Sequence, residues 1–362
     1  MRVLIIFNHP APYKVNAFNE LAKLVDLTVI FERTKAKDRP DSFYENNVYN
    51  FEHIFLKDGY IGREGTISSN VKKYIKTLYH EYDLIIMNGY SHLAEIKAIN
   101  YMAKHNIKFG LLINGGVIKQ KESSLKRKCK SNLIKKASYY LSPSKMSNEY
   151  LKYYGADEKK IYNYCYSNYF FSEINSASEN ERKELRKLFK LPSEGKIFIN
   201  PSQFIERKNN LYLIALFKNR KDYLVLVGDG KQKNKYIQYI KDNKMNNVFI
   251  LPYQSKKELF DLYKACDVHI TLSKEDIFGH TVLEAFANGL PVISSRNVIS
   301  SLEYIKDGYN GYLVDLDNEE SIKNALDKCD LSLSENAIKS AQQNTFENSA
   351  LTIYRILKDL YE

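Results

Sequence analysis

Glu284 lies one turn beyond His280 and Thr281 in the stretch 274–293, KEDIFGHTVLEAFANGLPVI. If Phe278-Gly279 opens a helix here, Val282, Leu283, Phe286 and Ala287 form its apolar face. Its first turn then presents free backbone N–H groups from His280 and Thr281 at the positive end of the helix dipole. That arrangement suits an anion, phosphate above all. Spacing of i, i+3 and i, i+4 brings Glu284 to the same face. Phosphate repels a carboxylate, so the favourable partners of Glu284 are sugar hydroxyls. These residue types at this spacing point to a nucleoside diphosphate that carries a sugar.

The elements that must hold these residues can be read on either side. A strand over 267–272 alternates apolar residues with β-formers, and the polar crossing 273–277 leads from it to the helix. Gly289 and Pro291 stop the helix, and a second strand follows over 290–294. Strand, short loop, helix and strand make a βαβ unit, and in such sheets ligands sit beyond the carboxyl ends of the strands.

The same run resembles the donor-site signature of the retaining glycosyltransferases of family 4. These are the GT4-like, group 1 enzymes of the GT-B fold, here of the bacterial cell-surface polysaccharide type. The signature sets an acidic residue, seven intervening residues and a Glu before Ala-x-Ala-x-Gly-x-Pro-Val-Ile. Asp276, Glu284 and AFANGLPVI stand at those positions. The family usually has Glu at the first of them, so Asp276 is a departure, and Glu275 beside it could carry the role. Residues 202–209, SQFIERKN, resemble the family's Gly-Arg … Lys-Gly element. Lys208 falls on the lysine that contacts the diphosphate. Gln203 replaces the usual Arg, so Arg207 or another group must supply that charge. Gly228-Asp229-Gly230 matches the Gly-x-Gly turn where the backbone approaches the nucleotide.

The resemblance therefore implies Glu284 on the ribose hydroxyls. It sets Asp276 or Glu275, with the N–H groups of Phe278 and Gly279, on the donor sugar. Glu303 and Asn310-Gly311 fall in the family's later Glu … Asn-Gly element, lining or bracing the same site. Cations and helix N-termini would stabilise charge on the leaving diphosphate. In this family configuration is retained: the acceptor hydroxyl attacks on the face the phosphate leaves, and that phosphate takes the proton. A UDP-sugar is the expected donor and a GDP-sugar the alternative. No Asp-x-Asp motif follows a strand, so no metal is expected.

At 362 residues, 44% of them apolar, the chain suits two α/β domains. The expected fold is GT-B, two Rossmann-like domains whose parallel sheets face a central cleft. The expected domains are 1–170, joined by a C-terminal helix 346–362, and 171–345. Ser, Asn and Glu accumulate over 170–190 and mark the boundary. In the first domain the spacing predicts strands at 2–7, 27–31, 84–87 and 108–113, with helices at 15–24, 70–80 and 94–105. In the second it predicts strands at 197–201, 223–227 and 248–251, with helices at 210–217, 232–242, 256–264 and 319–328. Loops after strands hold polar substrates. Asn88, His92 and Asn114-Gly115-Gly116 are therefore acceptor-side candidates, while His9 reads as a loop histidine in a turn that either faces the acceptor or is simply rigid. In the resembling family a His at the end of this strand often approaches the donor sugar, and His92 lies a few residues beyond that position.

No apolar run approaches the roughly 18 residues of a membrane span, and no signal-peptide pattern opens the chain. Cys129, Cys165, Cys266 and Cys329 are too scattered for zinc or a disulfide framework, which fits a reducing cytoplasm. The net charge of +11 lies in one half: residues 1–170 hold 27 Lys+Arg against 16 Asp+Glu, and residues 171–362 hold 27 of each. The run from Lys119 to Lys136 has eight basic residues and one acid around Leu125, Leu133 and Ile134. As a helix it is either a solvated face or an interfacial segment drawn to anionic lipid, at about 1 kcal/mol per basic residue. Nine tyrosines follow between 139 and 169. Tyrosine suits a membrane boundary or half-buried strands, and with lysine it suits single-stranded nucleic acid.

The expectation is a cytoplasmic transferase, peripheral on the inner face of the cell membrane, with no nucleic-acid partner. It would act on a lipid-linked or oligosaccharide acceptor for capsule, exopolysaccharide or another surface glycan. One alternative is a non-hydrolysing sugar-nucleotide epimerase, for which no carboxylate series is evident in the first domain. The other is a basic nucleic-acid-binding protein with a degenerate donor site.

Overall fold

Short apolar runs become the strands of two parallel sheets. The computed structural model describes residues 1–36, 41–56, 71–118 and 121–362. Asn70, Lys119 and Gln120, read above as helical, lie outside these residues. The chain forms two units, Met1–Asn168 with Thr345–Glu362, and Tyr169–Asn344.

In the first unit the described strands are β1 (Arg2–Phe7), β2 (Asp26–Phe31), β3 (Glu52–Phe55), β4 (Leu84–Asn88), β5 (Gly110–Leu112), β6 (Tyr139–Ser142) and β7 (Ile161–Asn163). They pair in parallel in the order β3-β2-β1-β4-β5-β6-β7. The order reverses direction between β1 and β4, which makes a switch point there. Val3, Leu4 and Ile6 of β1 are fully buried, as a strand covered on both faces requires. The helix Phe346–Tyr361 packs against Pro12–Ala22 in the same unit, burying Phe346, Ala350 and Leu357.

The second unit holds β8 (Ile197–Pro201), β9 (Tyr223–Val227), β10 (Val248–Leu251), β11 (Val268–Thr271), β12 (Val292–Ser295) and β13 (Gly311–Val314). Their order is β10-β9-β8-β11-β12-β13, again parallel, with the reversal between β8 and β11. At the amino ends of those two strands Arg186 forms a buried ion pair with Asp267 at 2.7 Å. Arg186 also donates to the carbonyls of Ala265, Ser193 and Gly195, and Asp267 accepts the Ile197 N–H at 2.7 Å.

β3, β6, β7 and β13 are strands that the spacing did not predict, all of three or four residues. The helix Lys145–Tyr153 was also missed, because its tyrosines read as surface aromatics. Tyr139, Tyr140, Tyr150, Tyr154, Tyr164, Tyr166 and Tyr169 are all buried. Core tyrosines can neither float at a membrane boundary nor stack on bases, so that part of the interfacial and nucleic-acid readings fails. The basic run does form a helix, Ser124–Ile134, capped by Ser123 Oγ on the Lys126 N–H at 3.4 Å. Among the described residues no helix is long and apolar enough to cross a membrane.

Candidate functional site

The loops that leave β8 and β11 meet at the switch point of the second unit. After β8 the chain runs through a 3-10 turn, Glu206–Lys208, into the helix Asn210–Leu216. After β11 it crosses 272–279 to the helix His280–Ala287. The Lys208 ammonium forms an ion pair with the Asp276 carboxylate across this gap, and both side chains are mostly buried. Arg207 donates to the Glu275 carbonyl at 3.1 Å, and its guanidinium is 3.6 Å from Asp276. The Lys274 N–H returns a bond to the Arg207 carbonyl at 2.8 Å. Lys208, Arg207, Glu275 and Asp276 are thus brought together, and Asp276 is the acid that faces the lysine.

The Asp276 loop is fixed from its far side. The Asp276 N–H bonds to the Asn297 carbonyl at 3.0 Å, and the Ser300 N–H to the Phe278 carbonyl at 2.8 Å. Ser300 Oγ donates to the Gly279 carbonyl at 2.8 Å. Gly279 has φ +87°, and a Cβ there would stand 2.5 Å from Val298 Cγ1. Only glycine fits that turn, which sets where the following helix begins. Tyr263, on the neighbouring helix Lys256–Ala265, shares its one hydroxyl proton between the Thr281 carbonyl at 3.3 Å and Glu284 Oε2 at 3.4 Å. Burial, with the Glu284 charge beside it, holds the Tyr263 hydroxyl protonated far above its usual range. A permanent donor therefore orients the Glu284 carboxylate from beneath.

Gly228 and Gly230, expected to approach a nucleotide, pack on the first loop. A Cβ at Gly228 would be 2.1 Å from the Ser202 carbonyl oxygen, and one at Gly230 would be 2.6 Å from that of Phe204. The Phe204 N–H bonds to the Asp229 carbonyl at 2.8 Å. Within the structure these glycines let two loops touch. Gln203 is exposed on the same loop. Asn310 is fully buried and donates to the Tyr304 carbonyl and Ser340 Oγ, each at 2.9 Å, so it braces a turn.

His92 belongs to the first unit, just beyond β4. Its Nδ1 is 3.9 Å from Glu32 Oε2 and 4.0 Å from Glu95 Oε1. Glu32 follows β2 directly and Glu95 sits in the first turn of Leu93–Lys104, and both are buried. The Glu32 carboxylate beside it, with Glu95, raises the affinity of His92 for a proton. Burial, with Glu32 close by, lifts the Glu95 carboxyl to about 7. The sequence shows no carboxylate series here because 63 residues separate Glu32 from Glu95. The one local signal is Glu95 three residues after His92, the spacing of a helix-start box.

Residues 181–344, most of the second unit, match the family described as Glycosyl transferases group 1. Over 71 residues the chain is 37% identical to the GtfA subunit of the UDP-N-acetylglucosamine–peptide N-acetylglucosaminyltransferase of Streptococcus pneumoniae serotype 4. That match covers 19% of this chain and 14% of the curated relative. In fold the chain is similar to HepE of Anabaena solved with UDP, at TM-score 0.77 and 18% identity over 99% of each chain. The same protein solved with UDP-glucose is matched at TM-score 0.71 with 18% identity, again over 99% of each chain. The lipopolysaccharide outer core galactosyltransferase WaaB is matched at TM-score 0.69 and 15% identity, over 98% of this chain and 100% of that one. At such identities the likeness is one of fold, and that fold is GT-B.

Proposed function

We propose that this protein is a retaining glycosyltransferase that moves a sugar from a UDP-sugar to a lipid-linked or glycan acceptor. The observation that carries the reading is the Lys208–Asp276 pair at the β8/β11 switch point, ahead of the helix His280–Ala287. A diphosphate entering there meets the Lys208 ammonium, the Arg207 guanidinium and the positive end of that helix. All three stabilise the charge that grows as the sugar leaves. Asp276, drawn off Lys208 by the diphosphate, is free to accept hydroxyls of the donor sugar beside the Gly279 N–H. Glu284, oriented by Tyr263, accepts the ribose hydroxyls. The proton of the acceptor hydroxyl passes to the departing phosphate, so the enzyme needs no nucleophile of its own.

HepE with UDP and UDP-glucose, and a relative named for UDP-N-acetylglucosamine, support uridine over guanosine. The WaaB likeness supports a cell-surface glycan as the product class. Exposed Leu125, Lys126 and Lys128 on the helix Ser124–Ile134 support a membrane-side acceptor at the inner leaflet.

Thermal unfolding with UDP, GDP, ADP and CMP in parallel tests this. UDP at a hundred times its Kd should add about 2.7 kcal/mol of stability. Glu284→Ala should weaken UDP by roughly 1.5–3 kcal/mol, about 10- to 150-fold. A response to none of the four would sink the proposal. Unchanged UDP affinity in folded Glu284→Ala would remove that residue from the ribose.

A further inference from the structure

We propose that Glu32, His92 and Glu95 bind a divalent transition ion, Zn2+ or Mn2+, at the carboxyl end of the first unit's sheet. One donor atom from each residue lies within 4.8 Å of the other two. The separations of 3.9 and 4.0 Å from His92 Nδ1 are too long for hydrogen bonds. In a tetrahedral site donors about 2.0–2.2 Å from the ion stand roughly 3.3–3.6 Å apart, so a pair at the 4.8 Å limit must close by about 1.2–1.5 Å.

Glu32 supplies the second, independent sign. It is 1% exposed, and among the described residues neither carboxylate oxygen has a hydrogen-bond partner. A carboxylate so placed is unstable unless a cation joins it. Arg33, which is also buried, acts on His92 through its charge. With His92 neutral, as a metal ligand must be, Arg33 offsets one of the two carboxylate charges.

The backbone is shaped around the cluster as well. Gly89 has φ +103°, and a Cβ there would stand 2.5 Å from Glu95 Oε1. Glu95 Oε2 accepts the N–H groups of Ser91 and His92 at 2.6 and 2.9 Å, which leaves Oε1 as the oxygen nearer the imidazole. One imidazole and two carboxylates suit Zn2+ or Mn2+. The His92 side chain is 19% exposed, which gives an ion a way in and leaves room for water or an anionic group on its open side.

The test is calorimetric titration of the metal-stripped full chain with ZnCl2 and with MnCl2, in the absence of nucleotide. One ion per chain is expected, with a rise in Tm. Glu32→Gln and His92→Asn should each weaken binding about 10-fold or more. Co2+ should give visible ligand-field bands with the unaltered chain and lose them in Glu32→Gln. Should Glu32→Gln fail to fold, His92→Asn, on the open side of the cluster, decides alone. Absence of stoichiometric binding, or binding unchanged in the folded variants, overturns the proposal. Because no nucleotide is present, neither result depends on the donor site.

Discussion

Each sheet reverses its strand order once, and the two reversals treat charge in opposite ways. At β8 and β11 a lysine and an arginine meet one aspartate, and every group is paired before any ligand arrives. Beyond β2 and β4 two carboxylates are buried near one imidazole; Glu95 accepts two backbone N–H groups, while among the described residues neither oxygen of Glu32 has a hydrogen-bond partner. The second unit pairs its deep charge too, as Arg186 with Asp267. The first unit instead buries Lys14 in an apolar cavity lined by Ile5, Phe18, Ile86, Tyr166 and Ile353. Paired sites are held in shape by the fold. Unpaired ones lower the stability of the fold and gain it back from a ligand.

If that contrast is right, the largest effect comes from breaking a pair in the second unit. Arg186→Leu leaves buried Asp267 with only the more distant Arg182 guanidinium, at 3.9 Å, and removes three carbonyl bonds as well. The expected loss is about 3–5 kcal/mol, read from urea unfolding of the full chain. A loss under about 1 kcal/mol would mean that Arg182 or water relieves Asp267, and that the Arg186 pairing is not structural.

In the first unit the same operation should have the opposite sign. Burial brings the Lys14 ammonium down from its usual value of 10.5 to about 7. The unfolded chain therefore binds a proton that the folded chain binds less well. The cost is complete below pH 7, shrinks as pH rises towards 10.5, and is gone above it. Lys14→Met should stabilise the protein by about 2–4 kcal/mol at pH 7, after allowance for the contact of Lys14 with the Tyr166 ring. Near pH 9 the gain should fall by roughly half. Urea midpoints of both proteins at the two pH values measure it. Destabilisation by Lys14→Met would show that the lysine has partners strong enough to hold it charged.

The same contrast explains what could be read in the sequence. The residues proposed for the donor side lie in two short runs, 202–209 and 274–293, each leaving a strand at the switch point, and the resemblance to the group 1 signature singled them out. β8 and β9 fall at the predicted residues because continuous apolar runs are how a strand buried on both faces is written. The Glu32, His92 and Glu95 cluster joins the ends of two strands that are neighbours of β1 but distant in the chain. A single Glu after an apolar strand carries no periodic signal. The tyrosines misled for a related reason: side chains that bury a ring while bonding through their hydroxyl, as Tyr140 does to the Ile134 carbonyl at 2.9 Å, have the composition of a surface.

The smallest effect separates surface charge from structural charge on the helix Ser124–Ile134. Lys130 is tied to Glu122 at 2.6 Å and donates to Tyr154 Oη at 3.2 Å, and despite partial burial these partners hold it protonated above the usual lysine range. The Arg127 guanidinium lies 4.2 Å from the centre of the Tyr153 ring. Lys126 and Lys128 are exposed on the same helix, beside exposed Leu125. They are the charges free to meet an anionic headgroup. Replacing both by Gln should weaken binding to anionic liposomes by about 2 kcal/mol, roughly 30-fold at low salt. Lys130→Gln should instead lower thermal stability while leaving partitioning nearer its original value. Equal losses of partitioning from the pair and from Lys130 would make the whole run one electrostatic patch. Undiminished partitioning after Lys126 and Lys128 are replaced would place the membrane-facing surface elsewhere in the protein.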